Sequence, residues 1–139
     1  MQRPEEQADK QSQQRDEREQ QKQQAAFWLD YSHQLAASIR YSEALAAVER
    51  SLALHADSAE AWYLKGTCLG MLAQYEQALA AFEQAISLNA AYAPAWDGKA
   101  WVLGILGRKA EALAAINRAL TLDPEHFEAQ QRRRRLEAL

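Results

Sequence analysis

The chain is expected to fold as an all-α, right-handed solenoid of three antiparallel helical hairpins followed by a C-terminal capping helix. Two observations predict this. Trp28, Trp62 and Trp96 stand 34 residues apart, and a large aromatic recurring at a fixed period marks a stack of repeated units. The rest of the unit keeps the same step. Leu35, Leu69 and Leu103 coincide, as do Ala44, Ala78 and Ala112, then Leu45, Leu79 and Leu113. Val48, Phe82 and Ile116 share another position. Ser51, Ala85 and Ala119 precede Leu52, Ile86 and Leu120, and then Leu54, Leu88 and Leu122.

Composition agrees with helices. Alanine and leucine are abundant, and the 139 residues include only five glycines and three prolines. A net charge of -3 is too mild to argue for nucleic acid or an anionic membrane. The single cysteine, Cys68, cannot form an internal disulfide, and its place in a helical apolar pattern implies a buried thiol. No stretch reaches the roughly 18 apolar residues of a membrane span, and no apolar N-terminal stretch reads as a signal peptide. A cytoplasmic protein is expected, unless a signal or anchor lies upstream.

Three regions follow. Residues 1–24 hold nine glutamines, six acids and five bases, with Ala8 nearly alone as an apolar group. Such a segment cannot bury a core and reads as disordered or as a frayed helix. Glu6 and Lys10 form a helical four-residue pair, but there is no apolar seam for a coiled coil. Residues 25–126 divide into units 25–58, 59–92 and 93–126. Residues 127–139 form the cap.

The middle unit shows why each unit is a hairpin. Its first helix reads from about Glu60 to Leu72, with Trp62, Leu69 and Leu72 near one face. A short turn lies at Ala73–Gln74. The second helix runs from about Tyr75 to Leu88, with Tyr75, Ala78, Leu79, Phe82 and Ile86 at helical spacing. Small residues let the two backbones approach: Ser32 faces Ala44, Gly66 faces Ala78, and Ala100 faces Ala112. Trp62 and Phe82 fill the space beside them. Each unit leaves an apolar flank for the next to cover, and three units are about the stable minimum. In the tail, Asp123-Pro124-Glu125 reads as a helix start, and Ala129, Leu136 and Leu139 are the packing residues.

These residues resemble the tetratricopeptide repeat. Its pattern is met in the middle unit by Trp62, Gly66, Leu69, Tyr75, Ala78, Phe82 and Ala85, and the resemblance covers Ala25–His126. Three departures stand out. The unit-ending proline occurs only as Pro124, with Ala56 and Ala90 at the matching places. The turn glycine occurs only as Gly107, with Ile39 and Ala73 instead. Lys65 stands where leucine is frequent. A non-glycine residue forced to positive φ in those turns costs roughly 1 kcal/mol.

The resemblance implies a concave groove lined by the first helix of each unit. Its residues would be Leu29, Asp30, His33 and Ala37, then Tyr63, Leu64, Thr67 and Met71, then Asp97, Gly98, Trp101 and Ile105. Trp101 is the one tryptophan outside the repeating core position. The apolar members suggest a protein or peptide segment with apolar anchors, with Asp30 and Asp97 offering hydrogen bonds or cation contacts. The competing expectation is that Trp101, Tyr63 and Leu64 pack on the chain itself. Some family members hold the acidic C-terminus of heat-shock chaperones with lysine, asparagine and arginine. Here those places carry Leu29, His33, Leu64, Pro94 and Gly98, so that ligand is not expected.

Chemistry beyond binding has little support. Asp30 and His33 could meet on one helix face, but a catalytic or metal site needs a third convergent group. His55 and His126 read as surface hydrogen-bonding residues. No phosphate loop and no nucleophile elbow is present. The expectation is a non-enzymatic scaffold, adaptor or assembly factor without cofactor or metal. Self-association is the rival reading, through end-to-end stacking or through Phe27 and Trp28 on an uncapped first helix. Arg132–Arg135 reads first as a solvated face, and otherwise as an RNA or acidic-surface contact.

Overall fold

The computed structural model describes residues 3–139, and every regular element in them is an α-helix. In chain order these are α1 (Pro4–Ala37), α2 (Tyr41–Leu54), α3 (Ala59–Met71), α4 (Tyr75–Leu88), α5 (Ala93–Ile105), α6 (Lys109–Leu122) and α7 (Phe127–Glu137). α1 with α2, α3 with α4, and α5 with α6 are the hairpins, and α7 packs on α6 and α5. The first helices α1, α3, α5 and α7 touch one another in succession. Helices α2, α4 and α6 do not. The first helices therefore line the inside of the curve and the second helices its outside.

The hairpin turns repeat one backbone motif. Ile39 N–H bonds to the Ala36 carbonyl at 3.0 Å, and Arg40 N–H bonds to the Leu35 carbonyl at 2.9 Å. The Ala73–Gln74 and Gly107–Arg108 turns make the same pair of bonds. This closure needs a left-handed residue after the helix. Ile39 at φ 62° and Ala73 at φ 61° adopt it without being glycine, and Gly107 sits at φ 77°.

Tryptophans fasten each unit to the loop before it. The Trp62 indole donates to the Ala56 carbonyl at 2.8 Å, and Trp96 donates to Ala90 at 2.9 Å. These are the two places where the unit-ending proline is absent. Trp28 has no earlier unit to cover it, and the Arg50 guanidinium lies over its ring at 4.2 Å. Two buried serines tie the first hairpin. Ser32 Oγ donates to the Ala44 carbonyl and Ser51 Oγ to the Ala25 carbonyl, both at 2.7 Å.

The polar N-terminal segment and the first repeat helix form one continuous helix of 34 residues. What changes along α1 is burial. Residues from Arg3 to Gln24 are exposed, and Ala25 is the first buried residue.

The tail departs from the expected start. Asp123-Pro124-Glu125 is a turn, in which Asp123 Oδ1 accepts the Glu125 N–H at 3.2 Å. Helix α7 begins at Phe127, and its N-cap is His126, whose Nδ1 accepts the Ala129 N–H at 3.1 Å. Proline at 124 therefore ends a unit rather than opening a helix. His126 occupies the repeat position where Ser58 caps α3 through the Ala61 N–H.

Phe82 is the largest fully buried side chain. Its ring lies between two first helices. A Cβ built on Gly66 would come within 2.7 Å of it, and one on Gly98 within 2.4 Å. Gly98→Ala should therefore destabilise the fold by about 1–3 kcal/mol through overpacking. In a Phe82→Ile background the same change should be neutral or stabilising, since alanine is the better helix former. Urea unfolding of the four proteins of this cycle checks it. Equal costs in both backgrounds would show that the ring is not the constraint.

Candidate functional site

The inner face carries a cavity of about 410 Å³. Tyr63, Thr67 and Met71 of α3 form one wall, Asp97, Gly98 and Trp101 of α5 the floor, and Glu128, Arg132 and Arg135 of α7 the other wall. Phe82 reaches its base. Met71 is 49% exposed and Ile105 is 47% exposed, so both stand out at the helix ends as free apolar groups.

The structure sorts the residues expected in the groove. Asp30, Ala37, Met71 and Ile105 are exposed, while Leu29, His33, Tyr63, Thr67 and Trp101 are half-buried. Leu64 is not in the groove. It is 4% exposed and belongs to the core cluster of the first two units, with Val48 and Leu35. Gly98 is buried beneath the Phe82 ring.

Asp97 is also withdrawn from a partner. It is buried, and the Arg132 guanidinium holds it, with Nε donating to Oδ1 at 2.7 Å and Nη2 to Oδ2 at 3.4 Å. This corrects the reading of the arginine run as a wholly solvated face. Arg132 and Arg135 point into the groove, while Arg133 and Arg134 line a separate depression with Pro124 and Gln130. The missed signal is the repeat step itself. Advancing Asp97, Gly98, Trp101 and Ile105 by 34 residues gives Gln131, Arg132, Arg135 and Leu139. Helix α7 is thus the first helix of an incomplete fourth unit, and it contributes groove residues as one.

Trp101 packs more than expected but is not consumed. Its ring lies across the backbone of α3, so that a Cβ on Gly70 would meet it at 2.5 Å. It also stands edge-on to Phe82, with centroids 6.5 Å apart. The far side borders Ile105, Arg132, Arg135 and Leu139. His33 turns away from Asp30, and its Nε2 meets Glu60 Oε1 of α3 at 3.0 Å. Thr67 Oγ1 donates to its own helix at the Tyr63 carbonyl.

Tyr63 stacks edge-on against Tyr92, with centroids 5.7 Å apart. Burial pushes the Tyr92 phenol up to about 12 and raises Tyr63 as well. Burial likewise lifts the Cys68 thiol to about 11, which leaves it protonated and unreactive at neutral pH. Among the described residues no three His, Cys, Asp or Glu side chains converge as metal ligands, and no helix is long and apolar enough to cross a membrane.

Sequence profiles of the tetratricopeptide repeat match residues 35–69, 59–92 and 93–126. The chain belongs to the tetratricopeptide repeat family. A search of curated protein sequences finds no match. Solved structures share the fold. The Arabidopsis OM64 TPR domain superposes with a TM-score of 0.81 at 17% identity, covering 85% of this chain and 98% of that one. The first TPR domain of Spaghetti (RPAP3), bound to the HSP90 peptide SRMEEVD, gives 0.80 at 20% identity, over 84% and 93%. Crystalline MamA gives 0.76 at 23% identity, over 82% of this chain and 67% of its own. In this tetratricopeptide array, as its repeat step requires, the groove is built from first helices alone.

Two expectations follow. Arg132→Gln leaves the Asp97 carboxylate buried without its partner, which should cost about 1–3 kcal/mol by chemical denaturation. Adding Asp97→Asn should recover most of that loss, and a full cost retained in the double variant would exclude the ion pair as its source. Tyr92 gives an alkaline signature. Its phenol stays neutral in the fold up to about pH 12, whereas an unfolded tyrosine ionises near pH 10. Stability is therefore unaffected below about pH 10 and falls between about pH 10 and 12. Tyr92→Phe should flatten that fall in thermal melts.

Proposed function

We propose that the chain is a non-enzymatic protein–protein interaction module, a scaffold, adaptor or assembly factor that holds a partner segment on its inner face. The observation that carries this reading is Trp101, a large aromatic anchored against Gly70 yet open to the groove beside Met71 and Ile105. An aromatic held rigid by its own fold and flanked by exposed apolar groups is the usual make-up of a binding hot spot. The peptide-bound Spaghetti domains share this fold, which supports a segment-binding role. The acidic chaperone tail fits poorly, because Leu29, His33, Leu64, Pro94 and Gly98 supply no cationic set. The contact residues assigned are Asp30, Tyr63, Thr67, Met71, Trp101 and Ile105, joined by Arg135. Burying two or three large anchors at about 1.5–3 kcal/mol each supports micromolar binding after entropic costs.

The test is affinity capture with the full chain and with a Trp101→Ala, Met71→Arg double variant. Circular dichroism first establishes that the variant is folded. A partner held by the wild type and weakened at least about tenfold by the variant is expected, given the loss of one anchor and the insertion of a charge. Capture unchanged by the variant would move binding off this face.

A further inference from the structure

The inner face is not uniform along its length, and the difference has a sign. At the first unit, the exposed carboxylate of Asp30 has no ion-pair partner among the described residues, and Glu60 meets only His33. At the α7 end, Arg132 is neutralised by Asp97, while Arg135 is exposed and free of any ion pair. Glu128 shares that cavity, but its carboxylate stands 3.9 Å from His126 Nδ1 at the helix start. The uncompensated charge is negative at one end and positive at the other. Between them lie Met71, Trp101 and Ile105.

The spacing of the apolar groups selects a shape. Met71 and Ile105 hold the same place on adjacent first helices, and packed helices stand about 8–10 Å apart. Residues seven apart on a helix lie about 10.5 Å apart on one stripe. Residues two apart on a strand lie only about 6.6 Å apart. A helix with heptad-spaced apolar residues matches the step, and a strand does not. From Asp30 to Arg135 the groove crosses three such steps, roughly 30 Å, or about 20 helical residues. A second copy of the α1 extension does not qualify, because Arg3–Gln24 has no apolar stripe.

Resting on the groove reading above, we infer that the inner face takes an amphipathic helix of a partner protein with segregated charge. Its apolar stripe lies on Met71, Trp101 and Ile105. Acidic residues at one end lie against Arg135, and basic residues at the other lie against Asp30. The interior pair Asp97–Arg132 makes no demand on the ligand, so direction is read at the two ends.

Two synthetic helical peptides of about three heptads test this. Both carry leucine at heptad spacing on an alanine face, with equal numbers of glutamate and lysine. One has glutamates at one end and lysines at the other, and the second interleaves them. By fluorescence anisotropy at low salt, the wild-type chain should bind the segregated peptide about threefold to tenfold more tightly. High salt should abolish the preference, and so should the double variant Asp30→Asn, Arg135→Gln. Equal binding, or preference for the interleaved peptide, overturns the inference. Failure of both peptides while Trp101-dependent capture persists overturns the inference and leaves the groove reading standing. Binding of both peptides untouched by Trp101→Ala overturns the groove reading itself.

Discussion

The ring of Phe82 between Gly66 and Gly98 is the contact on which the stack depends. One side chain of α4 reaches both the first helix of its own unit and that of the next, at distances that tolerate no Cβ. The neighbouring units solve the same problem with different volumes. Phe82 corresponds to Val48 in the first unit, whose two counterpart positions carry Ser32 and Leu64. In the third unit Ile116 is matched by Ala100 and by Arg132. A small residue on the second helix goes with a larger one on the next first helix, as close packing requires. Leu64 is therefore core because Val48 is small. Gly98 is glycine because Phe82 is large. The same trade reaches the groove floor, where a buried glycine leaves room for Tyr63 and Trp101 to line it.

Much of this was legible in the sequence. The repeat step located the hairpins, the paired small residues and the three turns, including positive φ at Ile39 and Ala73. Those features depend on neighbours inside one unit, and a period of 34 residues reports them directly. The groove was legible as a set of positions but not as a set of accessible groups. Leu64 and Asp97 hold groove positions, yet one is taken by volume and the other by charge. Both losses come from a residue in another unit. Arg132 sits 35 residues beyond Asp97, inside a run of four arginines whose composition alone suggests only solvation. The information was in the step, which extends one half-unit past the last tryptophan.

The long first helix marks a different limit. Residues from Arg3 to Gln24 have strong helix formers and nothing to bury. Propensity carries the backbone through them into the first repeat without a break. Composition told correctly where burial would begin, at Ala25, because the hydrophobic effect needs apolar surface and local propensity does not.

Helix α7 joins the two halves of the argument. As a cap it seals the last unit through Ala129 and Leu136, both buried, and a Cβ on Gly104 would meet Leu136 at 3.1 Å. As a groove wall it supplies Arg132 and Arg135. One surface of the helix thus sets stability and the charge that a partner meets. The Asp97–Arg132 pair fixes how α7 lies against α5, and with it the position of Arg135 beside Trp101. A change that loosens the cap must therefore also alter the positive end of the groove, because the same short helix holds both in place.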